Sequence, residues 1–227
     1  LVTLSQFGHA TEMLTVLPQH ALGNLAMKKL YQTQVGTTFL KQQDGRIGTY
    51  YMEESFDFRS GKVIYDREHS TFAEYGSSVI DDLPIQSGDY FVLTGITLAV
   101  NTTVRQHIVD ALTKLKQQGV KIIFDINFRS NLWSKEEAVP VIKSILPLVD
   151  VLFFGKKDAT HLLETNSEED DMKTCAETIQ SQYEIPVMAS SNRDIEQSTL
   201  QGIMLSQQSY IEGQAYQYTV LNRIGAG

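Results

Sequence analysis

Val120-Lys121-Ile122-Ile123-Phe124-Asp125-Ile126-Asn127-Phe128-Arg129 is the stretch on which the fold turns. A mostly apolar run that changes abruptly to polar residues describes a short buried strand, ending at Asp125 and releasing a polar loop. Similar runs occur at Tyr90-Phe91-Val92-Leu93, at Val149-Asp150-Val151-Leu152-Phe153-Phe154 and at Ile185-Pro186-Val187-Met188. Strand starts near 91, 121, 151 and 185 are about 30 residues apart, the length of a βαβ unit. The intervening segments carry helical spacing. Val104, Ile108, Ala111, Leu112 and Leu115 follow a cap at Asn101 or Thr102 and stop at Gly119. Ser134 and Glu137 have capping-box spacing ahead of Val141, Ile142, Ile145 and Leu148, with Pro140 a site for a kink and Pro147 for a stop. A further helix is expected over Met172–Tyr183. Apolar strands linked by amphipathic helices predict an α/β fold with a mainly parallel sheet covered on both faces. Phe153, Phe154 and Met204 are assigned to its core.

Two regions depart from this rhythm. Arg46–Glu53 and Lys62–Arg67 read as strands with no helix between them, hence an antiparallel hairpin of about 46–67 placed ahead of the βαβ run. A lone hairpin is not stable, so it must lie against the sheet, a ligand or a second subunit. Met52, Val63 and Ile64 are its apolar positions in need of cover. After Ser198 the pattern becomes short strands at Gln201–Leu205, Ser209–Glu212 and Gln214–Val220, an antiparallel edge.

The chain has 227 residues, 42 % of them hydrophobic and 20 % charged, a balance that can form a core. Nineteen basic against 27 acidic side chains leave a net charge of −8, which disfavours nucleic acid and anionic membranes as partners. A local arginine can still bind a small anion. No apolar run approaches the roughly 20 residues that span a bilayer. The single cysteine, Cys175, cannot form an intramolecular disulfide, which fits a reducing compartment. The five histidines lack metal-ligand spacing, and neither a Walker loop nor a Gly-x-Gly-x-x-Gly fingerprint is present. The chain opens on Leu1 without a Met and closes on Gly225-Ala226-Gly227, and both ends read as cut.

Three groups can carry chemistry. Asp125 and Arg129 sit where a parallel strand reaches its carboxyl edge, the usual ligand side of an open α/β sheet. Arg129 suits a carboxylate or phosphate there; the alternative is that it pairs with Asp125 or caps the loop. On the hairpin, Tyr65 and Arg67 are two residues apart and so share a face, with Tyr50 across from them. Two phenols and a guanidinium form a clamp for a hydroxylated anion, while packing or an interface is the plainer use for the tyrosines. Gly225-Ala226-Gly227 permits a nest of backbone N–H groups around an oxyanion, although many turns contain Gly-x-Gly.

Together these pieces resemble the ribokinase-like (PfkB-type) sugar kinases, and within them the 2-keto-3-deoxygluconate kinases. The resemblance runs through Thr15-Val16-Leu17-Pro18 with Ala21-Leu22-Gly23-Asn24, through Gly48-Thr49-Tyr50-Tyr51-Met52-Glu53, and through Lys62-Val63-Ile64-Tyr65-Asp66-Arg67 with His69-Ser70. It continues in Asp125-Ile126-Asn127-Phe128-Arg129 with Leu132-Trp133-Ser134, and ends in Arg223-Ile224-Gly225-Ala226-Gly227. It implies one ribokinase-like α/β domain over 1–227, incomplete at both ends, with an antiparallel β lid. It also implies ATP-dependent phosphorylation of an acid sugar, 2-keto-3-deoxygluconate, at its terminal hydroxyl, with ATP and Mg2+ as cofactors.

By the same resemblance Tyr50, Tyr65, Arg67 and Arg129 hold the sugar. Gly225, Ala226 and Gly227 form the anion hole at the transferring phosphoryl group, Gly225 and Gly227 also facing the nucleotide. The family's catalytic aspartate would follow Gly227. Asn222 stands where the family commonly has an aspartate, and Gly155-Lys156-Lys157-Asp158 where many relatives have an Asn-x-x-Glu that supports magnesium, leaving Asp158 as the candidate metal residue. The implied setting is cytoplasmic, with a homodimer or higher homo-oligomer formed through the lid and no nucleic-acid or membrane partner. Other ribokinase-like kinases, for fructose, ribose or a nucleoside, and a non-catalytic sugar-binding remnant are the alternatives.

Overall fold

The computed structural model describes residues 1–53, 62–80, 83, 85–165, 171–207 and 209–219. Contacts divide the chain into two compact units, Leu1–Gln86 with Thr97–Lys114, and Ser87–Ile96 with Leu115–Gly227.

In the first unit a short helix α1 (Val2–Gln6) precedes β1 (Thr15–Pro18), α2 (Ala21–Gln32) and β2 (Leu40–Gln43). β1 and β2 pair in parallel, Thr15 opposite Leu40 and Pro18 opposite Gln43. The sequence gives little sign of β2, because Leu40-Lys41-Gln42-Gln43 is largely polar and only half-buried. α2 begins where His20 accepts a hydrogen bond from the Leu22 N–H at 3.2 Å. Gly23 is obligatory there, since a Cβ would fall 1.9 Å from the Pro18 carbonyl oxygen.

The predicted hairpin follows as β3 (Thr49–Glu53) and β4 (Lys62–Asp66), antiparallel, with Tyr50 opposite Tyr65 and Met52 opposite Val63. Its residues 54–61 lie outside the described ones. Of the apolar positions expected to need cover, Met52 and Val63 are half-buried and Ile64 is exposed. Ser70 then caps α3 (Thr71–Tyr75), its hydroxyl accepting from the Ala73 N–H at 3.3 Å.

The second unit holds the large sheet. β5 (Tyr90–Thr94) is followed by α4 (Gly95–Val100) and α5 (Thr102–Gln117), and these two helices carry the chain through both units. Asn101 is the cap of α5, its Oδ1 accepting from the Thr103 N–H at 2.7 Å and the Val104 N–H at 3.3 Å. Val104, Ile108, Leu112 and Leu115 are buried as their spacing predicts.

The chain continues through β6 (Lys121–Asp125), α6 (Lys135–Ile145), β7 (Val151–Phe153), α7 (Lys156–His161), α8 (Met172–Tyr183) and β8 (Val187–Asp194). It ends in β9 (Thr199–Ser206), β10 (Tyr210–Glu212) and β11 (Tyr216–Gln217). The Ser134–Glu137 capping box forms, and α6 runs through Pro140 without ending. β5, β6, β7 and β8 are mutually parallel, while β9 joins β8 antiparallel and pairs with β10 and β11. This is an α/β architecture, a mainly parallel sheet with an antiparallel margin, as the sequence predicts.

Register explains which face is buried. Phe91, Leu93, Ile122, Phe124, Leu152, Met188 and Leu205 are all under 9 % exposed and lie on one face. The opposite face shows Val92, Phe153, Met204 and Ile211, each between 40 and 48 % exposed. Among the described residues, Phe153 and Met204 are therefore exposed, which corrects their assignment to the core, while Phe154 is buried. The buried face is the one the crossover helices take. Strand order runs one way from β6 through β7 to β8, and right-handed crossovers then put α6 and α8 on the same face. Among the described residues no helix is long and apolar enough to cross a membrane.

Candidate functional site

Two polar groupings emerge, one in each unit. The first is on the lid hairpin. Because Tyr50 and Tyr65 are directly opposed in the β3–β4 ladder, their side chains project from one face. Their ring centroids are 6.5 Å apart with planes inclined at 53°. Arg67 lies just beyond the end of β4, and its guanidinium carbon is 4.6 Å from the centre of the Tyr65 ring. That distance is within cation–π range and holds the planar donor fork against an aromatic surface. The structure thus brings three of the sequence-predicted residues together: two phenolic hydroxyls, each able to donate or accept, and one permanent cation.

The second grouping is at the carboxyl ends of β6 and β7. Asp125 closes β6, and its carboxylate accepts from the Asn127 N–H. The turn this makes sets Asn127 at φ 37°, a left-handed conformation that asparagine tolerates better than most side chains. The Ile126 N–H donates to the Phe153 carbonyl at 3.0 Å, pinning the loop to the end of β7. Gly95 completes this arrangement: a Cβ there would stand 2.0 Å from the Ile126 carbonyl oxygen, so β5 can end this close to the loop only with glycine. Arg129 follows, its carbonyl accepting from the Leu132 N–H at 2.9 Å.

Asp158 lies one turn into α7, where Oδ2 accepts from the Gly155 N–H at 2.8 Å. Burial pushes its carboxyl above the ordinary carboxylate value, against the opposing pull of that N–H and of Arg129. Asp125 is raised in the same way, first by burial and then by the nearby charge of Asp158, while the Asn127 N–H and Arg129 act in the other direction. Arg129 is therefore the cation within electrostatic reach of two carboxylates. The reading of Arg129 as a partner of Asp125 and the reading of it as a ligand group are compatible, since its charge is felt by both acids. The acidic pair itself was not apparent in the sequence, because 32 residues separate Asp125 from Asp158 and only the parallel β6–β7 pairing joins them.

Asp158 was the candidate metal residue. Its Oδ2 serves as a helix cap, and among the described residues no set of three or more His, Cys, Asp or Glu side chains is arranged to hold a metal ion. Gly225, Ala226 and Gly227, together with Asn222, lie outside the described residues.

Comparison with known proteins agrees with the fold. The chain is 31 % identical over 169 residues to the 2-dehydro-3-deoxygalactonokinase of Haloferax volcanii, an alignment covering 74 % of this chain and 52 % of that protein. It spans about half the length of the curated relatives it matches. Among solved structures, a PfkB family carbohydrate kinase from Listeria grayi superposes with a TM-score of 0.81 at 32 % identity, covering 95 % of this chain and 68 % of that one. A 2-dehydro-3-deoxygluconokinase from Thermotoga maritima gives a TM-score of 0.85 at 25 % identity, covering 98 % and 70 %. The family model for pfkB family carbohydrate kinases matches residues 1–227. With a match along the whole chain and a parallel sheet preceded by a β hairpin, this protein belongs to the pfkB family of carbohydrate kinases.

Proposed function

We propose that this chain is part of a kinase that transfers the γ-phosphoryl group of ATP to the terminal hydroxyl of a 2-keto-3-deoxy sugar acid, 2-keto-3-deoxygluconate in the first instance. The observation that carries the reading is the lid clamp: Arg67 stacked on Tyr65 with Tyr50 opposite it. A neutral sugar offers a guanidinium no anion, whereas a sugar acid offers a carboxylate to the cation and hydroxyls to the phenols. The names of the Haloferax and Thermotoga relatives support the same substrate class.

In this reading Tyr50, Tyr65 and Arg67 bind and orient the acid sugar, and Arg129 is a second cationic contact. Gly225, Ala226 and Gly227 would supply backbone N–H donors to the phosphoryl oxygens. Such transfers need little covalent chemistry from the protein, and their rate comes from positioning and charge neutralisation. A divalent ion such as Mg2+ neutralises phosphate charge when ATP is bound. Asp158 is the candidate residue of this chain for supporting that ion, beside the nucleotide's own phosphates. Cytoplasmic location and a homodimer through the lid belong to the same proposal.

The test is a coupled kinase assay on the full-length protein with ATP, Mg2+ and a panel of acid and neutral sugars. Arg129→Ala is expected to raise KM for 2-keto-3-deoxygluconate about 30-fold, the worth of one charge-assisted hydrogen-bonded contact of about 2 kcal/mol, and to leave KM for fructose within about threefold. Equal losses on both substrates overturn the acid-sugar assignment. Binding of the acid without phosphorylation of any sugar would favour a non-catalytic binding module instead.

A further inference from the structure

The lid clamp is only as good as the placement of Arg67, a long side chain at the point where β4 ends and the chain turns toward α3. Nothing in strand geometry holds a residue at that position, because the β3–β4 ladder stops at Asp66 opposite Thr49. The backbone on either side of Arg67 is nevertheless anchored, and by one side chain. Arg46 Nη1 donates to the Glu68 carbonyl oxygen at 2.6 Å, and Nη2 donates to the Asp66 carbonyl oxygen at 3.3 Å. The same Nη2 pairs with the Asp66 carboxylate, which also accepts from the Thr49 hydroxyl at 3.5 Å. One planar fork therefore holds the carbonyls of the residues immediately before and after Arg67.

Arg46 is itself held in place. Its carbonyl accepts from the Thr71 N–H at 2.8 Å and from the Thr71 hydroxyl at 2.8 Å, and Thr71 is 1 % exposed. Arg46 and Ser70 form a parallel bridge, so the chain entering the lid is fixed to the chain leaving it. Gly48 lets the two pass closely: a Cβ there would meet Ser70 at 3.3 Å and Arg67 Cγ at 3.5 Å. The sequence had suggested Arg46 as the first residue of a lid strand. Here it lies outside β3 as a brace across the base of the hairpin.

We infer that Arg46 is a positioning residue that fixes Arg67 for its contact with the anionic substrate. The inference rests on the reading of Arg67 as a substrate residue. A guanidinium is suited to this task and an ammonium is not, because two carbonyls and a carboxylate need donors diverging in one plane. The Arg46–Asp66 ion pair is partly exposed, its side chains 40 % and 45 % accessible, so its value for stability is small and its geometric role is the larger one.

The experiment is a double-mutant cycle in the full-length kinase, with KM for 2-keto-3-deoxygluconate, KM for ATP, kcat and melting temperature measured for each variant. Arg46→Ala is expected to raise the sugar-acid KM about tenfold, while KM for ATP changes less than about twofold and melting by no more than a few degrees. Arg46→Lys, which keeps the charge but loses the fork, should recover less than half of that loss on a logarithmic scale. In an Arg67→Ala background Arg46→Ala should add almost nothing, since its effect runs through Arg67. Additive losses overturn the inference, as does an Arg46→Ala variant whose sugar KM is normal, or whose ATP KM rises equally. If Arg67→Ala alone leaves the sugar KM unchanged, it is the assignment of Arg67 to the substrate that fails. A loss in Arg46→Ala against that background would mark a structural role only.

Discussion

Asp150 offers a severe test of how the second unit is held together. It sits just before β7 with its side chain 8 % exposed, at the amino-terminal end of the parallel strands. Oδ2 accepts from Lys116 Nζ at 2.6 Å and from the Ile122 N–H at 2.9 Å, and Oδ1 accepts from Lys121 Nζ at 3.1 Å. Its backbone N–H donates to the Ile122 carbonyl at 2.8 Å, and its carbonyl accepts from Val187 at 3.1 Å, so one residue ties the starts of β6, β7 and β8. Burial pushes its carboxyl up, but hydrogen bonds from Lys116, Ile122 and Lys121 outweigh that and hold it below the ordinary value of 3.8.

The cost of Asp150→Ala follows from these contacts. Removing the carboxylate leaves the Ile122 N–H without this acceptor beside a side chain that is 0 % exposed, a loss of about 1–3 kcal/mol. The two lysines are 35 % and 53 % accessible and can return to water, so each ion pair counts for only about 0.2–1 kcal/mol. The total is about 1.5–5 kcal/mol. Asp150→Asn keeps an acceptor for Ile122 and should lose about 1 kcal/mol.

Trp133 is the only tryptophan and is 4 % exposed within this unit, so its fluorescence during urea unfolding reports the change. The pH dependence has a definite sign. A depressed carboxyl pKa contributes stability that is complete above pH 3.8 and is lost as pH falls through the lower folded-state value. The Asp150→Asn protein should lack that acid-side loss. An Asp150→Ala protein within 0.5 kcal/mol of the parent would refute the reasoning.

Asp125 should behave in the opposite sense. Its folded-state pKa is raised, by burial and then by Asp158, so the parent should lose stability as pH rises from 3.8 through the folded-state value. Asp125→Asn should remove that decline and make the second unit more stable at pH 7, read by urea titration at pH 4 and 7; a variant less stable than the parent at both values would contradict it. On the lid, Tyr51 and Ile64 are 61 % and 55 % exposed and lie on the hairpin face opposite the clamp. Ile64→Lys should weaken a lid-mediated homodimer at least tenfold by light scattering, and a parent that is monomeric at micromolar concentration would exclude that dimer.

The elements that could be read from the sequence share a physical property: local chemistry decides them. Asn101, Ser134 and Asp171 cap helices through side chains two or three residues away from the N–H they accept. The apolar runs of β6, β7 and β8 are paired with a strand on each side and that of β5 with β6 alone, and in each it is the alternate residues Phe91, Leu93, Ile122, Phe124, Leu152 and Met188 that are buried. β2 was missed because its strand character comes from pairing with β1, not from its own polar residues. The start of the lid was placed too early for a related reason: the backbone of Arg46 bonds to Thr71 and not to a strand partner.

Of the candidate site, residue types and their place on a strand were legible. Strand alternation predicts that Tyr65 and Arg67 share a face, and although β4 ends at Asp66 the Arg67 guanidinium does lie over the Tyr65 ring; Asp125 and Arg129 stand at a strand end because the apolar run stops there. Their partners were not legible. Arg46 reaches Asp66 and Glu68 across 20 and 22 residues, and Asp158 raises Asp125 only because β6 and β7 are neighbours.

By itself the sequence determined the α/β class, the parallel strands and the hairpin, which follow from periodicity and short-range caps, and it carried the resemblance to the kinase family in motifs spread along the chain. Only the tertiary structure decided which sheet face is buried, which carboxyls are pushed up or down, and that Arg46 spans the base of the hairpin while Arg67 lies over Tyr65. Those properties are set by distance through space and by loss of water, and neither quantity is written in the spacing of residues along the chain.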